Sequence, residues 1–387
     1  MTILAALVVV AWVFGLGRTL LNLALVPRLK PRQLEREPFI SIIIPARNEE
    51  RAIGRTVRAL LAQTYGNLEL IVVDDQSSDG TAAAVAEIAA TDPRLTVVRG
   101  ETPPAGWLGK PWALHQGSLR AKGELFFFID ADVVYAPEAL AAAVAHMQRG
   151  PAVLLTLFPN FEMQGFWENV AMPQFAFAAF ALMPSWLANR STRPWLGIGG
   201  GVGNLVKRDA YAAADGHAAL HQAVIDDVAL ARLVRAAGGR TEVVRAEELV
   251  SIRMYHGGRS IAEGMTKNMY TAIGRSLWIV PLFVVVIATI NLLPYALLIS
   301  AILHSLRGAP VTTAEWLGCT AVALLTLLRV ILFASVRYPI ANALFLHPLM
   351  IVFGLWVYVR SAWRTGVRGQ VQWRGRTYDA AGTRFGA

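Results

Sequence analysis

Residues 39–49 read Phe39-Ile40-Ser41-Ile42-Ile43-Ile44-Pro45-Ala46-Arg47-Asn48-Glu49. The β-branched run stopped by proline predicts a buried strand, with polar residues directly at its carboxyl end. The pattern recurs twice: Leu68 to Val73 runs into Asp74-Asp75, and Glu124 to Ile129 runs into Asp130-Ala131-Asp132. Residues 48–62 carry Ile53, Val57, Leu60 and Leu61 at helical spacing, with arginines on the opposite face. Ser77-Ser78-Asp79-Gly80-Thr81 reads as a turn capping a helix that continues to Ala90. Leu95 to Val98 predicts another strand, and Trp112 to Lys122 another helix. The β-α-β-α-β order predicts an α/β fold with a mostly parallel, Rossmann-like sheet and right-handed crossovers. Such sheets bind ligands beyond the carboxyl ends of their strands. Three polar or acidic strand ends meeting on one edge point to a nucleotide and metal site.

In a strand, residues two apart share a face. Asp130 and Asp132 therefore either both face one cation, or one holds the metal and the other a ligand. Carboxylate oxygens suit hard divalent cations such as Mg²⁺ or Mn²⁺, which also bridge to phosphates.

The chain of 387 residues is 55% hydrophobic and 16% charged. A soluble enzyme carries about a quarter charged residues. The apolar excess collects in Ile3 to Val26, Leu277 to Leu303, Ala314 to Val336 and Pro339 to Val359. Each meets the roughly 20 residues needed to cross a bilayer core. The organisation expected is an N-terminal anchor (1–29), a catalytic domain (30–275), about three C-terminal membrane segments (276–360) and a basic tail (361–387). The first run has no basic stretch before it, and Arg28, Lys30, Arg32 and Arg36 follow it. It reads as a retained anchor rather than a cleaved signal, with its basic flank and the catalytic domain in the cytoplasm, at the inner membrane of the cell. A single cysteine, Cys319, excludes an intramolecular disulfide and a cysteine-based zinc site. The net charge is +9, and from Arg360 onward six arginines face one aspartate. Basic residues beside apolar spans suit the anionic surface of a phospholipid bilayer; no nucleic-acid motif is present.

Ser41 to Glu49, the stretch Val72-Val73-Asp74-Asp75-Gln76-Ser77-Ser78-Asp79-Gly80-Thr81 and Ile129-Asp130-Ala131-Asp132 together resemble the opening motifs of family-two glycosyltransferases with the GT-A fold, from about residue 40 to 235. Gly106-Trp107-Leu108-Gly109-Lys110-Pro111-Trp112-Ala113-Leu114 resembles a segment of the membrane-bound branch acting on hopanoids and carotenoids. So do Phe166-Trp167-Glu168, Val224 to Leu230 and the closing Gln372-Trp373-Arg374-Gly375-Arg376-Thr377-Tyr378; ceramide glucosyltransferases share the outline.

The resemblance implies displacement at a sugar anomeric carbon, from a UDP- or GDP-linked nucleotide sugar to a hydroxyl of a membrane lipid. It implies that Asp132 holds the metal and diphosphate, with Asp130 beside the ribose or metal. Asp75, next to Asp74, would accept from the base, and Pro45, Ala46, Arg47, Asn48 and Glu49 would wrap the nucleoside. Lys110, in a glycine-rich and proline-flanked loop, would meet a phosphate or the donor sugar. Asp227, with Asp226 beside it, would be the base of a one-step, inverting reaction. Gly197 to Gly203 lacks the Lys-Ser/Thr of a phosphate-binding loop and reads as crowded backbone near sugar or acceptor. Histidines 115, 146, 217, 221 and 256 lack ligand spacing and read as structural or surface residues. Phe166 to Leu187 reads equally as an interfacial segment steering lipid or a buried core helix. Processive polysaccharide synthases carry Gln-x-x-Arg-Trp where this chain has Glu263 and Lys267-Asn268, which weighs against polymer synthesis; an inactive scaffold with the same fold is opposed by the intact acidic set. Three C-terminal crossings would strand the basic tail outside. Either one run is re-entrant or interfacial, residues 277–303 with Pro281 and Pro294 being the candidate, or the tail breaks the rule; the tail is expected inside because its motif resembles one that closes over the donor.

Overall fold

A computed structural model describes residues 1–373, 376–379 and 383. Arg374 and Gly375 of the closing motif lie outside the described residues. The chain divides into two compact units: an α/β unit of Val26–Glu162, Leu187–Met254 and Gln370–Ala387, and an apolar helical unit of Met1–Leu25, Met163–Trp186 and Tyr255–Gly369.

In the α/β unit the strands are β1 (Ile40–Ala46), β2 (Leu68–Asp74), β3 (Leu95–Arg99), β4 (Leu125–Phe128), β5 (Val133–Tyr135), β6 (Leu154–Phe158), β7 (Asn160–Phe161), β8 (Asn204–Lys207), β9 (Thr241–Arg245), β10 (Val250–Ile252), β11 (Gln370–Trp373) and β12 (Arg376–Asp379). Seven of them form the main sheet in the order β3-β2-β1-β4-β8-β6-β9. β1, β2, β3 and β4 are parallel; β8 runs antiparallel to both β4 and β6, and β9 is parallel to β6. Ile40, Ile42, Ile43 and Ile44 are fully buried, which is why β1 reads as a continuous apolar run rather than an alternating one. Leu114 of the helix Gly109–Arg120 and Leu230 and Val234 of the helix Asp226–Ala236 share one core with Ile43, Val73, Phe126 and Phe128. The register pairs Ala46 with Asp74 and Ile43 with Phe128, so the three polar strand ends emerge on the same edge.

Two expectations change at this level. β4 stops at Phe128, so Asp130 and Asp132 stand on the turn before β5 and not on the strand itself. The helix expected from Trp112 begins at Gly109, which puts Lys110 in its first turn rather than in a loop; Pro111 is tolerated there because first-turn N–H groups need no intrahelical partner.

In the apolar unit, Thr2–Leu25, Ile279–Leu306 and Thr313–Val336 are long and apolar enough to cross a membrane, by length and composition. Asn22, a polar break in the first run, donates to the carbonyls of Phe180 and Met183 at 2.8 Å and accepts from the Trp186 N–H at 2.9 Å. The segment 163–186 thus packs into this unit, burying Ala176, Phe177 and Phe180 while Phe166 and Trp167 stay exposed. The candidate re-entrant run is instead the unbroken helix Ile279–Leu306, which contains Pro294. The interrupted run is the last one, split into Ile340–Phe345 and His347–Ser361. Pro348 has no N–H to continue the ladder. Buried Arg329 serves the break: Nε donates to the Ala343 carbonyl, Nη2 to that of Asn342 and Nη1 to His347 Nδ1, all at 3.1 Å. Arg329→Met leaves those buried acceptors unpaired, and detergent-solubilised protein should lose roughly 3 kcal/mol of stability by thermal unfolding; an unchanged melting temperature would refute this account of the break.

Candidate active site

The loops after β1 and β2 are knitted together. The Asp75 N–H donates to the Ala46 carbonyl at 2.8 Å, and Arg47 Nη1 donates to the Asp75 carbonyl at 2.5 Å. The Asn48 N–H meets Ser77 Oγ at 3.0 Å, the Ser78 N–H meets Asn48 Oδ1 at 2.8 Å and the Glu49 N–H meets Thr81 Oγ1 at 2.7 Å. Asp74 accepts from the Ser77 N–H at 3.2 Å and is buried. Pro45 to Glu49 therefore form one wall with Asp74 and Asp75.

Asp75 itself is only 2% exposed, and both carboxylate oxygens are engaged by Arg376 Nη1, at 3.0 and 2.7 Å. Arg376 Nη2 also donates to Gln76 Oε1 at 2.8 Å. Burial pushes the Asp75 carboxyl above its ordinary range and Arg376 opposes the shift. The β11–β12 hairpin thus returns to the second strand end, a link between residues 301 apart in sequence.

The other predicted residues converge on a second centre. Lys110 Nζ lies 2.8 Å from Asp130 Oδ1 and 3.2 Å from Asp226 Oδ1. Burial disfavours the ammonium, but Asp130, Asp226 and Asp227 outweigh it and hold Lys110 well above its usual range. Burial also pushes Asp226 up to about 6, with Lys110 opposing and Asp227 and Asp130 reinforcing the shift. Asp227 is less buried than Asp226; its Oδ1 accepts from the Val228 N–H at 2.8 Å, and its carbonyl is held by Asn204 Nδ2 at 3.1 Å. These groups line one solvent-open pocket together with Gly200, Gly201 and His217. A Cβ on Gly201 would fall 2.0 Å from Asp130 Oδ2, so the glycine-rich loop is crowded backbone against a carboxylate, as its composition suggested.

Asp132 is not among the residues lining that pocket. It shares the neighbourhood of Asp130 through Tyr135, whose phenol is pushed well up by burial and then by both carboxylates. Among the described residues no group of three or more His, Cys, Asp or Glu is arranged to hold a metal unaided. Two aspartates supply only hard oxygen donors, and the Asp130 side chain is 34% exposed. That set fits a divalent cation completing its shell with phosphate oxygens and water.

Sequence reasoning missed two groups here, Asn204 and His217, and gave Arg376 only as part of a motif expected to close over the donor, without its partner Asp75. Asn204 gave no signal beyond its place after the glycines. His217, expected to be structural or on the surface, is buried and lines the pocket, and the turn residues Asp215-Gly216 before it were its one local cue.

Residues 41–213 match the family model described as Glycosyl transferase family 2. The chain carries a family 2 glycosyltransferase domain. It is 26% identical over 350 residues to 4,4'-diaponeurosporenoate glycosyltransferase of Staphylococcus aureus strain MRSA252, covering 88% of each chain. The enzyme of the same name from strain USA300 is 25% identical over 348 residues, again covering 88% of each chain. Among solved structures, mannosyltransferase PcManGT from Pyrobaculum calidifontis, in complex with GDP-Man and Mn²⁺, superposes with a TM-score of 0.55 over 93% of this chain and 99% of that one, at 22% identity. That likeness establishes the GT-A fold of the transferase.

Proposed function

We propose that the protein is an inverting, metal-dependent transferase that moves a single sugar from a UDP- or GDP-linked donor to a hydroxyl of a membrane lipid, of the carotenoid type suggested by the names of its relatives. The observation carrying this reading is the pocket that joins Lys110, Asp130, Asp226 and Asp227. The acceptor oxygen attacks the anomeric carbon, the carbon–oxygen bond to the diphosphate breaks, and its electron pair leaves on the phosphate oxygen. The acceptor proton goes to Asp227, and attack opposite the leaving group inverts the centre. Lys110 donates toward the departing diphosphate, and Asp226 keeps that ammonium oriented. Held by Asp130 and Asp132, a divalent cation supplies positive charge against the same diphosphate. Pro45 to Glu49 with Asp74 and Asp75 form the nucleoside wall.

Topology supports a cytoplasmic site at the inner membrane. β11–β12 belongs to the same unit as the pocket, which supports a tail on the same side of the bilayer as the site. Two crossings, Ile279–Leu306 and Thr313–Val336, return the chain to that side and remove the conflict that three crossings would create for a basic tail.

The test incubates membranes containing the protein with labelled UDP- and GDP-sugars and extracted lipids, with and without Mg²⁺ or Mn²⁺, followed by mass spectrometry of the lipid product. A cation-dependent, singly glycosylated lipid is expected. No transfer from any donor overturns the reading, and a long saccharide polymer would assign the chain to the synthases instead. Within this scheme Arg376 keeps Asp75 ionised and oriented as an acceptor for the base. Arg376→Ala should raise the donor KM about 10-fold with kcat little changed, the size of one charge-assisted hydrogen bond; the loss should deepen as the pH falls, because burial alone then favours protonated Asp75. A KM that is unaltered would remove Arg376 from donor binding.

A further inference from the structure

Beneath the pocket runs a chain of hydrogen bonds that the reaction scheme leaves unused. His217 is 1% exposed and follows a left-handed turn, with Asp215 at φ 54° and Gly216 at φ 44°. A Cβ on Gly216 would fall 2.2 Å from Cζ of Tyr211, so only glycine lets the turn press the imidazole onto that ring. Glycine takes this conformation freely and aspartate tolerates it, so the local sequence suits a turn that buries His217 against Tyr211.

The protons in this chain can be followed one by one. Ser118 Oγ donates to the His115 carbonyl at 2.8 Å. With its proton committed, Ser118 accepts from the Tyr211 hydroxyl at 3.1 Å. Tyr211 has one proton, so towards His217 its oxygen only accepts: from the backbone N–H at 3.0 Å and from Nδ1, also at 3.0 Å. Nδ1 therefore carries the imidazole proton and Nε2 carries the lone pair. Burial, helped by Lys110 and His115, pushes His217 down to about 3, so the ring is neutral. Nε2 points away from Tyr211, and among the described residues it has no hydrogen-bond partner. His217 lines the pocket alongside Lys110, Asp130, Asp226 and Asp227.

A bare nitrogen acceptor cannot receive a phosphate or carboxylate oxygen, which brings no proton. It takes an O–H. The acceptor hydroxyl surrenders its proton to Asp227, and the base lies at the Asp75 wall. The group left between diphosphate and attacking oxygen is the sugar. We propose that His217 Nε2 accepts a hydrogen bond from one hydroxyl of the transferred sugar, making His217 a specificity-determining residue whose tautomer is set by Tyr211 and Ser118. This rests on the glycosyl-transfer reading above.

The test uses the full chain in membranes, the donor accepted by wild type, and its single-position deoxy analogues. Wild type should lose about 30-fold in kcat/KM for one analogue and little for the others, because the analogue leaves the Nε2 acceptor in the occupied pocket unpaired. His217→Leu should lose a similar factor with the full donor and no longer distinguish it from that analogue, while binding free nucleoside diphosphate as wild type does. Tyr211→Phe, which removes the oxygen that fixes the tautomer, should show part of the same loss of discrimination. Equal use of every deoxy donor by wild type overturns the proposal, as does wild-type discrimination persisting in His217→Leu. If His217→Leu fails to bind nucleoside diphosphate, Tyr211→Phe decides, and unchanged discrimination there overturns it. Absence of any transfer by wild type would instead sink the glycosyl-transfer reading itself.

Discussion

Asp227→Asn should lower kcat by about 10³-fold, the usual worth of a positioned general base, with nucleoside diphosphate affinity retained. The substitution is nearly isosteric, and asparagine can still accept from the Val228 N–H that holds Oδ1 at 2.8 Å. Asn204 fixes the Asp227 backbone whatever side chain is present, since its bond is to the carbonyl. The fold of the helix start is therefore kept, and what is lost is the group that takes the acceptor proton. Asp226 makes the contrast. It is more buried and tied to Lys110, so it is poorly placed to receive a proton from a lipid hydroxyl. Steady-state kinetics of both asparagine variants checks the assignment: kcat should fall further for Asp227→Asn than for Asp226→Asn. A larger kcat loss in Asp226→Asn, with Asp227→Asn nearly active, would exchange the two roles.

Those two aspartates were legible in the sequence because their signal is local. A helix start and two adjacent carboxylates fall within a few residues, as do the β-branched runs and the polar residues that end them. The same holds for Pro45 to Glu49 and for Asp74. What escaped is what depends on distance or on a neighbour's shape. Asp75 reads as an open carboxylate until β12 brings Arg376 to it from the far end of the chain. Gly109 and Pro111 read as loop residues, although proline and glycine are both compatible with a helix's first turn, and Lys110 was misplaced with them. The last apolar run is as hydrophobic as its neighbours, so composition hid the break at Pro348 that Arg329 serves from another helix. His217 carried no spacing at all; its meaning comes from a tyrosine, a serine and a pocket assembled by folding.

The Lys110 ammonium stands at the centre of that pocket, and Lys110→Met should cost about 10³-fold in kcat/KM by removing the fixed positive charge nearest the departing diphosphate. A stability effect follows from the same geometry. Without the cation, Asp130, Asp226 and Asp227 face one another uncompensated; Asp226 is buried but Lys110 and Asp130 are partly exposed, so the loss is roughly 1–3 kcal/mol. The cost depends on pH in a defined direction. In the wild type, free of donor and divalent cation, the Asp226 carboxyl is held at about 6 against an ordinary 3.8. The folded protein thus binds that proton more tightly than the unfolded chain does. Its contribution to stability is complete below about pH 4 and is lost as the pH rises through about 6. Lys110 opposes the upward shift, so Lys110→Met raises the Asp226 carboxyl further and extends the loss to higher pH. Thermal unfolding in detergent should show the gap between wild type and variant widening as the pH rises through about 6. Adding Asp226→Asn to Lys110→Met removes the charge that titrates and should close much of the gap at the upper pH, a coupling absent if the two side chains act independently. A gap that stays constant with pH, or a double variant no more stable than Lys110→Met, would mean that the lysine does not hold this carboxylate pair.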